Sequence, residues 1–299
     1  MAYWQWGDPR SAHVVLCVHG LTRQGRDFDA LARALLERAE GAIRIVCPDV
    51  AGRGRSDWLR DPLAYQLPTY ARDMLALLAQ LQAEQAIDTL DHVGTSMGGL
   101  IGIALAGQKE LPLPVPVRRL VLNDVGPALE PAALQRIGRY VGQGGRYASL
   151  AEGAAALREL SSGFGPHSTE QWLTLSAPML VPAGARTPDG TAKVATDAVD
   201  GAAGPFLLHY DPAIAEPFRA VTAEGVAQAE AAMWSLYDAI TAPTLLVRGA
   251  ESDLLSPATA QAMTRRRPCA WLVEFAGVGH APTLVAPDQR SAVVSFLLG

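Results

Sequence analysis

The 299-residue chain is 49% apolar and 18% charged, with a formal net charge of −5. That supply of core-forming side chains excludes an intrinsically disordered chain. The length allows one large α/β unit or two smaller domains. Lysine occurs only at Lys109 and Lys193 and no basic stripe forms, so no nucleic-acid or anionic-membrane partner is expected. The Arg265 to Arg267 run reads as a solvated helix end. No apolar run approaches the roughly 18–20 residues that a bilayer requires. Residues 1–7 lack the basic-then-apolar pattern of a secretion signal. Cys17, Cys47 and Cys269 are scattered without metal spacing, and the first two fall in apolar runs where buried thiols are ordinary. A reducing, cytoplasmic setting is the expectation.

In chain order, short apolar runs alternate with longer helical patterns, the signature of a mostly parallel sheet covered by helices. His13 to Val18 is an unbroken strand-length run, followed by an amphipathic helix over Phe28 to Ala39. Strands are predicted at Ile43 to Cys47, Leu90 to Gly94 and Val117 to Asn123. Helices are predicted at Tyr70 to Ala83 and at Met97 to Ala106, the latter rich in small residues that allow close packing on a sheet. The alternation stops after Gly126-Pro127. From there to about Ile240 the chain reads as mostly helical, with Gly/Pro interruptions at 142–145, 163–166 and 182–190. Strands return at Pro243 to Arg248 and Ala270 to Phe275, separated by a helix at Pro257 to Arg266, with a closing helix at Asp288 to Leu298. The simplest organisation is a core of residues 1–126 and 243–299 interrupted by a helical insertion at 127–242, too long for a plain loop.

The sharpest chemical signal is Gly94-Thr-Ser96-Met-Gly98, placed where a strand ends and a helix begins. Flanking glycines let the backbone hold Ser96 in a strained turn with its Oγ exposed. The following helix aims free N–H groups and its positive end at that point. A glycine-rich turn with an incidental serine is the bland alternative, which the strand-to-helix placement disfavours. A neutral hydroxyl is a poor nucleophile and needs a base. Among the six histidines, His280 stands in a loop after the last predicted strand, where sites form in open parallel sheets. His13 and His92 read as structural, and His167 and His209 fall in the insertion. The base in turn needs an acceptor. Asp253 follows the preceding strand, and the chain order Ser96, Asp253, His280 suits this sheet type. Asp253 is therefore the expected acid. Glu251 is a competitor expected to face solvent, and Asp124 is an alternative that could orient His280 from a neighbouring strand or cap the following turn. After the first long strand, His19-Gly20-Leu21-Thr22 is expected to aim backbone amides at Ser96. The Leu21 and Met97 N–H groups would then form an oxyanion hole, with His19 bracing the loop. The turn Asp49-Val-Ala-Gly52-Arg-Gly54-Arg-Ser56 lacks the spacings of phosphate-binding loops.

Together the blocks His19-Gly20, Asp49…Gly52-Arg-Gly54-Arg-Ser56, Gly94-Thr-Ser96-Met-Gly98-Gly99, Arg248-Gly249…Asp253 and Gly279-His280 resemble the α/β-hydrolase superfamily over nearly the whole chain. Within it the chain is similar to bacterial esterases, 3-oxoadipate enol-lactonases and meta-cleavage-product C–C hydrolases, which carry a helical cap after the sixth core strand. The resemblance implies that residues 127–242 are that cap. It also disfavours haloalkane dehalogenases and epoxide hydrolases, which place aspartate where Ser96 stands. The leading segment is short for the family, so its first strand is expected to be absent or very brief.

The expected function is cleavage of small carboxylic esters or lactones by a Ser96–His280–Asp253 triad through an acyl-enzyme, with water as second substrate. No cofactor or metal is expected, and a homodimer is left open. Thr22, Trp172, Phe206 and Trp234 are the candidate pocket residues. Other cap residues considered are Phe164, Leu173, Leu175, Met179 and Tyr237. A C–C hydrolase using the same triad is the alternative. It would need a carboxylate grip from Arg55, Arg136, Arg139 or Arg158. A non-catalytic ligand-binding protein of the same fold is the rival from another class.

Overall fold

A computed structural model describes residues 1–184, 205–219 and 222–299. Part of the interruption read at 182–190 lies outside the described residues. The strands of the main sheet are β1 (Tyr3–Gly7), β2 (His13–Val18), β3 (Arg44–Pro48), β4 (Thr89–Thr95), β5 (Val117–Asn123), β9 (Thr244–Gly249) and β10 (Trp271–Phe275). They lie in the order β1-β3-β2-β4-β5-β9-β10. Only β1 runs antiparallel, against β3. The segment ahead of β2 supplies a single five-residue edge strand.

The central strands are apolar on both faces because both faces are covered. Successive side chains of a strand point to opposite sides, and β2 shows the consequence. Val14, Leu16 and Val18 enter one core, whereas Val15 and Cys17 enter the other. On the first face lie α2 (Leu67–Glu84), α3 (Met97–Gly107), α8 (Ala223–Ala239) and α9 (Pro257–Arg265). On the second lie α1 (Asp29–Arg38) and α10 (Pro287–Leu298). Cys17 and Cys47 are free and buried there.

Between β5 and β9 the chain forms α4 (Pro131–Tyr140), β6 (Arg146–Tyr147), α5 (Leu150–Leu160), α6 (Thr169–Ser176), β7 (Leu180–Pro182), β8 (Phe206–Leu208) and α7 (Glu216–Arg219). The segment is not purely helical, since β6, β8 and β7 make a small antiparallel sheet. These strands are two or three residues long, too short to show a period in sequence. The last part of the segment packs as core. Helix α8 sits so close to α3 that a Cβ on Gly107 would lie 2.2 Å from the Leu236 carbonyl oxygen. Tyr237 of α8 is fully buried and donates to the Met263 carbonyl at 2.8 Å.

The topology sets up the site. The C-terminal ends of β2, β4, β5 and β9 are neighbours, with Val18 beside Gly94, Thr95 beside Asn123 and Asn123 beside Val247. Loops leaving these ends therefore converge on one edge. No helix among the described residues is long and apolar enough to cross a membrane.

Candidate active site

Ser96 caps α3 with φ 52° and ψ −118°, a left-handed value that L-residues adopt only under constraint. The constraint is packing. A Cβ on Gly94 would fall 2.2 Å from the Gly98 carbonyl oxygen, and one on Gly98 would fall 1.9 Å from that of Val18. Only glycine at both positions lets the turn close against β2.

The Ser96 Oγ lies 3.0 Å from His280 Nε2. On the other side of the ring, His280 Nδ1 lies 2.7 Å from Asp124 Oδ2. The ring is thus assigned as donating from Nδ1 to the carboxylate and accepting at Nε2 from the serine hydroxyl. Asp124 is fully buried and sits directly after β5 with φ 56°. Its Oδ1 accepts from Gly249 N–H at 2.9 Å, and its Oδ2 accepts from Ser252 Oγ at 2.6 Å. These donors fix the carboxylate beside the ring. Ser252 was not singled out from sequence, and its only signal is its position in the Glu251-Ser-Asp253 turn.

Asp253 does not reach His280, correcting the sequence assignment of the acid. A turn closed by Ser252 N–H to Gly249 C=O at 2.9 Å carries Asp253 outward. There it is half exposed and takes a bidentate pair from Arg136 Nε and Nη2 at 2.7 and 2.9 Å. Glu251 faces solvent. Asp124 reaches the ring because it directly follows β5, which adjoins the Ser96-bearing β4, with no intervening turn to lengthen the reach.

The loop after β2 lies against the serine, with a notional Gly20 Cβ 3.6 Å from Ser96 Cβ. His19 is fully buried. Its Nδ1 donates to the Gly20 carbonyl at 2.7 Å, and its Nε2 accepts from Val50 N–H at 2.9 Å, so it braces the loop. His92 is also buried, with Nε2 3.0 Å from the Gly98 carbonyl, and His13 pairs with Asp91 at 2.7 Å. Burial pushes His19 down to about 3 and His92 to about 4. In the unfolded chain both titrate near 6.5. Between these values the unfolded state holds more protons, so stability from both groups is complete above pH ~6.5 and declines as pH falls. The slope reaches about 1.4 kcal/mol per pH unit for each histidine. Urea denaturation is expected to show a lower midpoint at pH 5 than at pH 7.5, and equal midpoints would contradict the neutral, buried assignment.

Ser96 and His280 open onto a cavity of about 110 Å³. This is well below the ~300–1,000 Å³ of sites for drug-sized ligands. Thr22 lines it, together with Phe164, Leu175 and Met179. The other three pocket candidates are not among its lining residues. Trp172 is buried behind Phe164, stacked at 6.0 Å, while Phe206 packs with Leu157, Met179 and Leu180. Trp234 lies on α8, edge-on to Tyr237 at 5.8 Å and under Arg266 at 4.3 Å. Leu173 is exposed and Tyr237 is core. Sequence missed Tyr140 and Tyr210 on the wall, and also Arg23, whose guanidinium pairs with Asp27 at 2.6 Å and donates to the Leu175 carbonyl at 3.1 Å. Burial pushes the Asp27 carboxyl up, and the Arg23 charge opposes that rise. The segment between α5 and α6 also grips the histidine loop, through Gly279 N–H to Gly163 C=O at 2.6 Å and His167 to Thr283 Oγ1 at 2.8 Å. Among the described residues no three His, Cys, Asp or Glu side chains gather as a metal site would require.

The model of the alpha/beta hydrolase fold family matches residues 13–287. The chain belongs to the α/β-hydrolase family. Over its full length this hydrolase is 48% identical to a 3-hydroxybutyrate-oligomer hydrolase of Cupriavidus necator, covering 93% of that protein. It is 27% identical over 288 residues to a 2-(acetamidomethylene)succinate hydrolase of Mesorhizobium japonicum, spanning 96% of this chain and 88% of that one. A solved α/β hydrolase from Novosphingobium aromaticivorans superposes with a TM-score of 0.77 at 36% identity, covering 99% of this chain and 92% of that one.

Proposed function

We propose that this hydrolase is a serine esterase of short hydroxy-acid oligoesters, working through an acyl-enzyme on Ser96. The observation that carries the reading is the unbroken hydrogen-bonded series Ser96–His280–Asp124 at the edge of a small, largely apolar cavity. His280 Nε2 takes the hydroxyl proton as Ser96 Oγ attacks the ester carbon. Asp124 holds the ring and stabilises the imidazolium that forms. The developing alkoxide faces the Leu21 amide in the turn after β2 and the Met97 amide at the α3 N-terminus. Collapse breaks the C–O bond, and His280 passes its proton to the departing alcohol. Water, deprotonated by His280, then attacks the acyl carbon and releases the acid. Of the 127–242 segment read as a cap, the described part at 127–184 and 205–219 would roof the cavity, which agrees with Phe164, Leu175 and Met179 lying on its wall.

The substrate class rests on the similarity to the 3-hydroxybutyrate-oligomer hydrolase and on a cavity sized for a small acyl group. Lactones of similar size fit the same chemistry. Cleavage of a C–C bond gains little support. Of the four arginines considered as a carboxylate grip, only Arg136 lines the cavity, and its fork is occupied by Asp253. A panel of linear 3-hydroxybutyrate dimer and trimer, p-nitrophenyl butyrate, a small lactone and a vinylogous 1,5-diketone tests the reading. The highest kcat/KM is expected on the linear hydroxybutyrate esters. Turnover confined to the diketone would overturn it.

A further inference from the structure

The turn after β3 delivers one side chain to the back of the site. Gly52 and Gly54 adopt φ 81° and 53° on either side of Arg53, a tight reversal that throws the arginine inward. Arg53 is the largest fully buried side chain of the protein's described residues, at 0% exposure. Its Nε donates to the Leu21 carbonyl at 2.8 Å. Its Nη1 donates to the Ala51 carbonyl at 2.7 Å and to the Tyr70 hydroxyl at 3.0 Å. Its Nη2 lies 3.8 Å from Met97 Sδ. The guanidinium carbon stands 5.6 Å and 5.0 Å from the ring centres of Tyr65 and Tyr70. Every one of these direct partners is neutral, and one contact further the Tyr65 hydroxyl donates to the buried Asp211 carboxylate at 2.5 Å. Among the described residues no carboxylate pairs with this guanidinium.

Burying a cation without a counter-charge is strongly unfavourable. A neutral donor would serve two carbonyls and a phenol at lower cost, so the charge itself requires an explanation. The two residues that Arg53 touches on the side of the site are Leu21 and Met97, the residues whose amides the ester-hydrolase reading assigns to the oxyanion. We propose that Arg53 is a positioning residue of that oxyanion hole, locking the Leu21 segment by its carbonyl and holding a positive charge without a direct carboxylate partner behind both amides. With His19 fixing the Gly20 carbonyl, the turn is held at two successive peptides. The charge acts in a medium of low dielectric. It attracts the tetrahedral alkoxide and scarcely affects the neutral ester, so it lowers the barrier without tightening substrate binding.

The inference rests on the proposed ester hydrolysis, and the two can fail separately. Arg53→Gln and Arg53→Lys are compared with the parent chain for kcat and KM on p-nitrophenyl butyrate. Inhibition by phenylboronic acid, which forms a tetrahedral adduct on a nucleophilic serine, is measured beside them. Arg53→Gln is expected to lose about 10- to 100-fold in kcat with KM nearly unchanged. Boronate affinity should weaken alongside, and Arg53→Lys should recover part of both losses. Unchanged kcat and boronate affinity in folded Arg53→Gln would overturn the inference while leaving the esterase reading intact. Should Arg53→Gln not fold, Arg53→Lys decides: boronate affinity weakened more than substrate affinity supports the role, and equal changes overturn it. A parent chain inactive on every ester removes the esterase reading and this inference with it.

Discussion

Asp124→Asn is expected to lower kcat by about 10⁴-fold on short p-nitrophenyl esters, whereas Asp253→Asn leaves it within a few-fold. The asymmetry follows from what each carboxylate touches. Asp124 is buried, 2.7 Å from His280 Nδ1, and held by Gly249 N–H and Ser252 Oγ. An amide there would present an N–H or a neutral carbonyl where the imidazolium requires a negative acceptor, and would favour the wrong tautomer. Asp253 is half exposed and among the described residues engages only Arg136, and an ion pair of that kind contributes little. Steady-state kinetics on the two variants separates the assignments. Loss of activity on the Asp253 substitution with retention on the Asp124 one would contradict the geometry.

Ser96→Ala is expected to remove turnover of the same esters by about 10⁶-fold while the fold remains intact. The methyl side chain keeps the Cβ that the turn already accommodates, and among the described residues the only side-chain bond lost is the one to His280. Circular dichroism and the thermal midpoint should therefore match the parent chain. Near-normal turnover in this variant would mean that another group attacks the ester.

Much of this arrangement was readable from residue order alone, and the exceptions have physical causes. The buried strands announce themselves because parallel strands covered on both faces are apolar without alternation, as in His13 to Val18. Ser96 is legible because its turn tolerates only glycine at positions 94 and 98. His280 is legible from its loop after the final strand. The acid is not, because Asp124 and Asp253 both follow strands that neighbour each other in the sheet. The choice depends on one backbone turn at Gly249–Ser252 and on an arginine 117 residues away in sequence. Pocket residues were hard for a related reason. The apolar periodicity of a helix marks a buried face but not what it is buried against, so Trp234 on α8 faces the core while Leu175 on α6 lines the cavity. Edge strand β1 gives a weak signal because it is short and carries Gln5 among its aromatics. The small sheet of β6, β7 and β8 leaves no periodic trace at all.

The most direct test of the proposed acyl-transfer unit is covalent labelling by a fluorophosphonate, with the modified peptide located by mass spectrometry in the parent chain and in both aspartate variants. The account predicts one adduct on Ser96, formed at the parental rate in Asp253→Asn and slowed by orders of magnitude in Asp124→Asn. An adduct on any other residue, or rapid labelling that survives loss of Asp124 and disappears with Asp253, would contradict it.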